Sequence, residues 1–356
     1  MTTMPPRKTA LWTTASAAPL AILAGCQPEL PPITWKGEVV HFGAEDPEGV
    51  CGETLEWMDR RAVGLKDVFG DQTYADIEYY WLPESWSDPR LCGDNSIGCT
   101  KGDQIYAKHV PMEHELVHAL LIEDLPAVFE EGLAEVFGDL GWVFEPSDRA
   151  HLLQILETSD PVDYADYSRA GHFVAFLIET YDLDPLLRLA RLADYDDDYD
   201  KVRSAFAEAY GFSLDQALAE YEDFPECDPL AWMDTRIACA EPALALEPAL
   251  GTEVSVVENL DCDEPNVYGP HGGYMFTETT LEIMPVIGYP LIIDLEGDVN
   301  DETSAALVGC GGCADATTIW VVPGEFQQLL IPPGRYVLRL FRPVDDPGEL
   351  GISLRY

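Results

Sequence analysis

The segment His114-Glu115-Leu116-Val117-His118 places two imidazoles four positions apart, with a carboxylate directly after the first. On an α-helix, positions i and i+4 lie on one face, one turn apart. Two neutral imidazoles so placed can bind one zinc ion from the same side. Glu115 sits about a third of a turn round from His114, within reach of a water held by the metal. Zinc lowers the pKa of such a water to about 7, and the carboxylate can take its proton. The same five residues also fit an amphipathic helix with two surface or core histidines, so the residues downstream decide.

A catalytic zinc takes three protein ligands and keeps a fourth position open. Downstream runs Pro126-Ala127-Val128-Phe129-Glu130-Glu131-Gly132-Leu133-Ala134-Glu135. Pro126 can start a helix, because its missing N–H costs nothing in the first turn. Helix, short turn over 123–125 and second helix then form an antiparallel pair facing one shared point. Glu131 is the expected third ligand. Glu135, one turn later, is placed to accept the free N–H of a ligating histidine and fix its tautomer. The bland alternative makes both solvated acids in a chain full of them.

The stretch Phe129–Glu135 resembles the Trp-Leu-x-Glu-Gly-Leu-Ala-Glu segment of gluzincin-type metallopeptidases, which also carry His-Glu-x-x-His. That resemblance implies that the carboxylate before the glycine, Glu131 and not Glu130, is the third ligand. The gap from His118 to Glu131 is shorter here than in thermolysin or the aminopeptidases of that group. A second block, Tyr167–Tyr181, is similar to the family's Tyr-x-x-Ala-x-x-Phe-Val-x-x-Leu helix, and Ser204–Leu214 to its closing helix pair. The likeness spans residues 75–225 or so. Tyr167 is a candidate oxyanion donor on the helix after the ligands, and His172 a weaker one that reads better as structural.

Arg7 and Lys8 precede an apolar run, Ala10 to Ala24, too short to span a membrane and fitting an export signal. The run closes on Leu23-Ala24-Gly25-Cys26, which resembles a bacterial lipobox; this implies lipidation at Cys26, with Gln27 compatible with an outer-membrane or surface address. Without Cys26, eight cysteines remain, an even number that in an exported chain argues for disulfides. Cys92 with Cys99 and Cys227 with Cys239 are expected to close small loops, and Cys262 to meet Cys310 or Cys313, with Cys51 taking the other or the pattern differing altogether. Twenty basic against 65 acidic residues exclude nucleic acid and anionic membrane as direct partners, leaving the lipid as the only membrane contact. The acidic run Asp194–Asp200 matches no calcium loop and reads as solvated.

In chain order, residues 1–25 read as the lipoprotein signal, 26–33 as a tether and 34–226 as an α+β, zincin-like metallopeptidase domain. Its strands are expected over 34–42, 76–82 and 104–110, with the last at the sheet edge beside the cleft, where Ile105–His109 would line a peptide. Helices are expected over 53–69, 112–122, 128–139, 148–157, 168–181, 185–192, 201–210 and 214–221. Residues 227–250 read as a Cys-containing linker. Residues 251–356 read as an all-β antiparallel sandwich, with strands over 273–277, 280–284, 291–295, 318–322, 327–331, 335–341 and 351–356. Taken together, the chain reads as an exported, lipid-anchored zinc metallopeptidase acting on peptides or proteins, with Glu115 as general base. The rival is a catalytically inactive surface lipoprotein of the same fold that binds or scaffolds. Substrate preference and oligomeric state are not written in the sequence.

Overall fold

The computed structural model describes residues 30–83, 91–92, 96–138, 147–158, 162–225, 238–247, 249–284, 288–310, 318–324 and 327–356. The expected leader, Cys26, Cys227 and Cys313 lie outside the described residues. Among the described residues the chain is a mixed α/β protein with three sheets and a group of helices.

The N-terminal sheet has the order β1 (Ile33–Lys36), β2 (Val40–Ala44), β3 (Ile77–Trp81), β5 (Gln104–Ala107), β4 (Gly98–Lys101). The expected single strand over 34–42 is instead a hairpin. The Asp59 carboxylate accepts from the backbone N–H groups of Glu38, Val39 and Val40 at 2.9, 2.8 and 2.8 Å and holds the chain in a turn. Gly37 lets the carboxylate come this close, because a Cβ would sit 2.3 Å from Asp59 Cγ and push it aside. β2, β3 and β5 run parallel, and α1 (Thr54–Phe69) makes the crossover between the first two. β5 is not the edge: β4, within the stretch expected as loop, pairs antiparallel outside it.

α2 (Glu113–Leu120) carries the two histidines. It is shorter than expected because Leu121 pairs with Thr73 and the Ile122 N–H is drawn to Gln72 O at 3.0 Å. α3 (Ala127–Gly138) is buried along almost its whole length and packs on α2 and α5 (Tyr167–Tyr181). Two glycines permit this. A Cβ on Gly132 would lie 2.5 Å from Ala170 O in α5, and one on Gly138 would lie 2.5 Å from Glu113 O in α2. Backbone atoms cannot step aside, so Gly132→Ala is expected to cost about 1–3 kcal/mol of stability by overpacking. It also displaces Glu131 next door, so thermal unfolding and metal binding should weaken together. α4 (Arg149–Glu157), α6 (Asp184–Leu189), α7 (Tyr199–Tyr210) and α8 (Leu214–Tyr221) complete the helices. Asp148, Asp198 and Ser213 cap α4, α7 and α8, each accepting a backbone N–H of the first turn.

The C-terminal part is two sheets face to face. One has the order β13 (Gln327–Leu329), β10 (Leu291–Gly297), β15 (Gly348–Arg355), β7 (Glu253–Leu260). The other runs β12 (Thr318–Val321), β11 (Ser304–Gly309), β14 (Gly334–Pro343), β9 (Tyr274–Ile283), β6 (Leu244–Leu246), with β8 (Tyr268–His271) also on β9. Ile293, Ile352 and Leu354 meet Leu281, Leu307 and Leu338 between them. β9 is one strand where two were expected, and β7, β8 and β11 were not expected. Leu244–Leu246, within the expected linker, forms a strand of the six-stranded sheet.

The outer face of that sheet packs on α1. Trp57 meets Phe276 edge to face at 5.5 Å between ring centroids. The Glu278 carboxylate lies between Arg61 and Arg339, at 3.2 and 2.9 Å. Thr54 Oγ1 accepts from the Gly269 N–H at 2.9 Å. The disulfides correct the expected pairing. Cys92–Cys99 forms as expected, but Cys51 pairs with Cys262 and Cys239 with Cys310. The expectation favoured partners close in sequence, whereas docking brings Cys51 N–H to Gly269 O at 2.9 Å and Gly52 N–H to Cys262 O at 2.7 Å. The three disulfides among the described residues fit an oxidising, extracytoplasmic compartment. Among the described residues no helix is long and apolar enough to cross a membrane.

Candidate metal centre

His114, His118 and Glu131 bring three donor atoms to one point. His114 Nε2 and His118 Nε2 stand 3.1 Å apart, and Glu131 Oε2 lies 3.2 Å from the first and 3.4 Å from the second. Metal bonds of about 2.0–2.1 Å at tetrahedral angles set donor atoms about 3.3 Å apart. The triangle therefore matches one face of a zinc coordination tetrahedron, and two imidazole nitrogens with a carboxylate oxygen suit that metal.

The far nitrogens explain why the near ones converge. His114 Nδ1 lies 3.0 Å from Glu135 Oε1, and His118 Nδ1 lies 3.1 Å from Glu130 Oε1. A ring that donates Nδ1–H to a carboxylate presents the Nε2 lone pair at its other end. Glu130 also accepts the Leu125 N–H through its second oxygen, at 2.5 Å, which ties the turn between α2 and α3 to the site. Tyr195 donates to Glu131 Oε1 at 3.1 Å, leaving Oε2 as the converging atom. Tyr167 stacks on His114 in near-parallel planes, centroids 5.5 Å apart.

The electrostatics are extreme for a buried site. Three glutamates of α3 are buried in an otherwise apolar helix. Burying carboxylates is costly unless cationic or donating groups meet them. Burial pulls His114 down, but hydrogen bonds to Glu131 and Glu135 outweigh it and push it up to about 10. His118 is likewise raised well above its ordinary value against burial, by Glu131 and Glu130. Burial pushes Glu131 up, yet the two histidines hold it well below the carboxylate range. Carboxylates that draw protons so strongly onto two rings draw a dication to the same place, and the two compete. The Tyr167 phenol is held protonated by burial first, then by Glu131 and Glu115.

The Glu115 carboxylate meets β4 on one side and acts on Tyr167, the ring stacked on His114, on another. Thr100 Oγ1 donates to Glu115 Oε2 at 2.8 Å. Gly98 leaves room for the other oxygen, since a Cβ there would lie 2.7 Å from Oε1. His172 takes no part: it is fully buried, with Nδ1 2.6 Å from Tyr221 Oη and Nε2 2.9 Å from Pro225 O. Glu130, Tyr195, Thr100 and Gly98 were missed by the sequence reading. Only Glu130 enters that reading, as the neighbouring carboxylate passed over in favour of Glu131 as ligand.

Compared with known proteins, the chain matches no family model and no curated protein. Among solved structures it is similar to one described as a novel 4-O-methyl-alpha-glucuronidase with specificity for decorated arabinogalactans, at 12% identity and a TM-score of 0.18. The match covers 63% of this chain and 35% of that one, so this chain spans about a third of that protein's length. A likeness that faint carries no argument about chemistry.

Proposed function

We propose that this chain is a zinc-dependent metallopeptidase of zincin-like, gluzincin-type fold, exported and held by lipid at Cys26, with a β-sandwich docked on its α+β part. The observation that carries it is the triangle of His114 Nε2, His118 Nε2 and Glu131 Oε2, with a carboxylate behind each ring. Those three residues would hold the metal, and Glu135 and Glu130 would orient the rings. When bound, zinc supplies Lewis acidity that acidifies water and polarises a carbonyl.

The remaining work falls to the chain. An extended peptide would pair with the free edge of β4, the strand beside Glu115, rather than with β5 as first expected. Glu115 would take a proton from the attacking water as its oxygen adds to the carbonyl carbon, then pass that proton to the amine as the C–N bond breaks. Tyr167, kept protonated beside Glu131 and Glu115, would donate to the developing oxyanion.

Metal analysis with a peptide panel tests this. Purified protein should contain zinc and cleave fluorogenic peptides, lose cleavage to a chelator and regain it with added zinc. His118→Ala should lose the metal and the activity together. A protein that binds no zinc, or cleaves equally in chelator, would refute the proposal.

A further inference from the structure

We propose that β4 is a positioning element for the general base, with Thr100 and Gly98 setting where the Glu115 carboxylate points. The proposal rests on the assignment of Glu115 as base and adds two residues to it. Residues 98 and 100 lie on one face of a strand, because side chains alternate with period two. That face meets Glu115 on α2. Thr100 Oγ1 lies 2.8 Å from Glu115 Oε2 and 3.4 Å from the carbonyl of Glu115 itself, so its single proton goes to the carboxylate. Oε1 then lies over the bare α-carbon of Gly98, where a Cβ would come within 2.7 Å of Oε1 and 2.8 Å of Glu115 Cγ. One oxygen is held by a donor, and the other has space only because residue 98 has no side chain.

Cys99, between the two, faces the other way and is tied to Cys92. Among the described residues β4 is also an outermost strand of its sheet, the one at the Glu115 end, so its outer backbone edge is placed to take an added peptide strand. Peptide docking and base orientation therefore share one element: a substrate that pairs with β4 stiffens the strand that aims Glu115.

Thr100→Val removes the hydroxyl and keeps the shape. A positioned base supplies about 100- to 10,000-fold in rate, and loss of its aim should remove roughly ten-fold or more from kcat. Zinc content, KM and thermal midpoint should change little, a split that general loosening of the fold would not produce. Thr100→Ser should restore most of the rate, because it restores the donor. Gly98→Ala should lower kcat with zinc retained. A Thr100→Val enzyme within about two-fold of wild-type kcat would overturn the proposal, since a displaced general base costs far more than that. If the wild-type protein cleaves no peptide at all, the peptidase assignment fails separately. The positioning is then read from a crystal structure of Thr100→Val, where an unmoved Glu115 carboxylate would overturn it and a rotated one would support it.

Discussion

Glu115→Gln is expected to keep zinc and to lose about 100- to 10,000-fold of peptide turnover, the range a positioned general base supplies. The substitution preserves shape and leaves His114, His118 and Glu131 untouched, so the donor triangle survives. Thr100 can still donate to the side-chain oxygen of glutamine, so the group stays near its place. What disappears is an acceptor that can take a full proton from water and return it to the leaving amine. Elemental analysis should therefore find wild-type zinc in a protein with almost no activity. Cleavage near the wild-type rate would remove Glu115 from the role of base, and loss of zinc would instead make it a support of the site.

Glu278→Ala is expected to destabilise the protein by about 3–5 kcal/mol, the usual cost of breaking a buried ion pair from one side. Glu278 on β9 is shared by Arg61 of α1 and Arg339 of β14, whose side chains are 3% and 0% exposed. Removing it deprives two buried guanidinium groups of their common carboxylate at the seam between the helical part and the sandwich. Burial pushes the Glu278 carboxyl up, but Arg61 and Arg339 outweigh it and hold it below the ordinary glutamate value. A depressed folded pKa contributes stability that is present above the unfolded value and is lost as pH falls through the folded one. The gap between wild type and variant should thus be full at neutral pH and narrow on acidification, as pH falls through the depressed folded value. Denaturant unfolding at several pH values measures it, and a gap that widened on acidification would contradict the ion-pair account. The same seam, with Trp57 on Phe276 and Cys51 bonded to Cys262, means that a chain cut after 248 exposes a prepared face of α1.

Short-range patterns carried much of this molecule. Helical spacing placed α1 to within a residue, and the four-residue interval of His114 and His118 put both rings on one face of α2. Glu135 followed from the same periodicity, four positions after Glu131. Glu130 did not, because spacing alone does not say which of two adjacent carboxylates turns to a ring from another helix. Tyr195 stands 64 positions from Glu131, and its phenol arrives only when the segment after α6 folds back across the start of α3. β4 hid at the end of the Cys92–Cys99 loop, since four residues with one glycine and one cysteine give no alternating apolar signal. In sequence β9 reads as two strands with a break at Glu278 and Thr279, because a charge there looks out of place until Arg61 of the facing α1 meets it.

By itself the amino-acid order determined the chemistry on offer: a pair of imidazoles in register, carboxylates one and several turns away, an export-type cysteine count and an acidic exterior. These are properties of neighbours along the chain, set by 3.6 residues per turn or two per pleat. Tertiary structure alone decided which carboxylate meets which nitrogen, which strand forms the open edge, that residues 98 and 100 face Glu115, and that Cys51 reaches Cys262 across 211 positions. Those contacts depend on how closely two backbones approach, and here that distance is set by glycines at 98, 132 and 138, whose missing side chains no local pattern reveals.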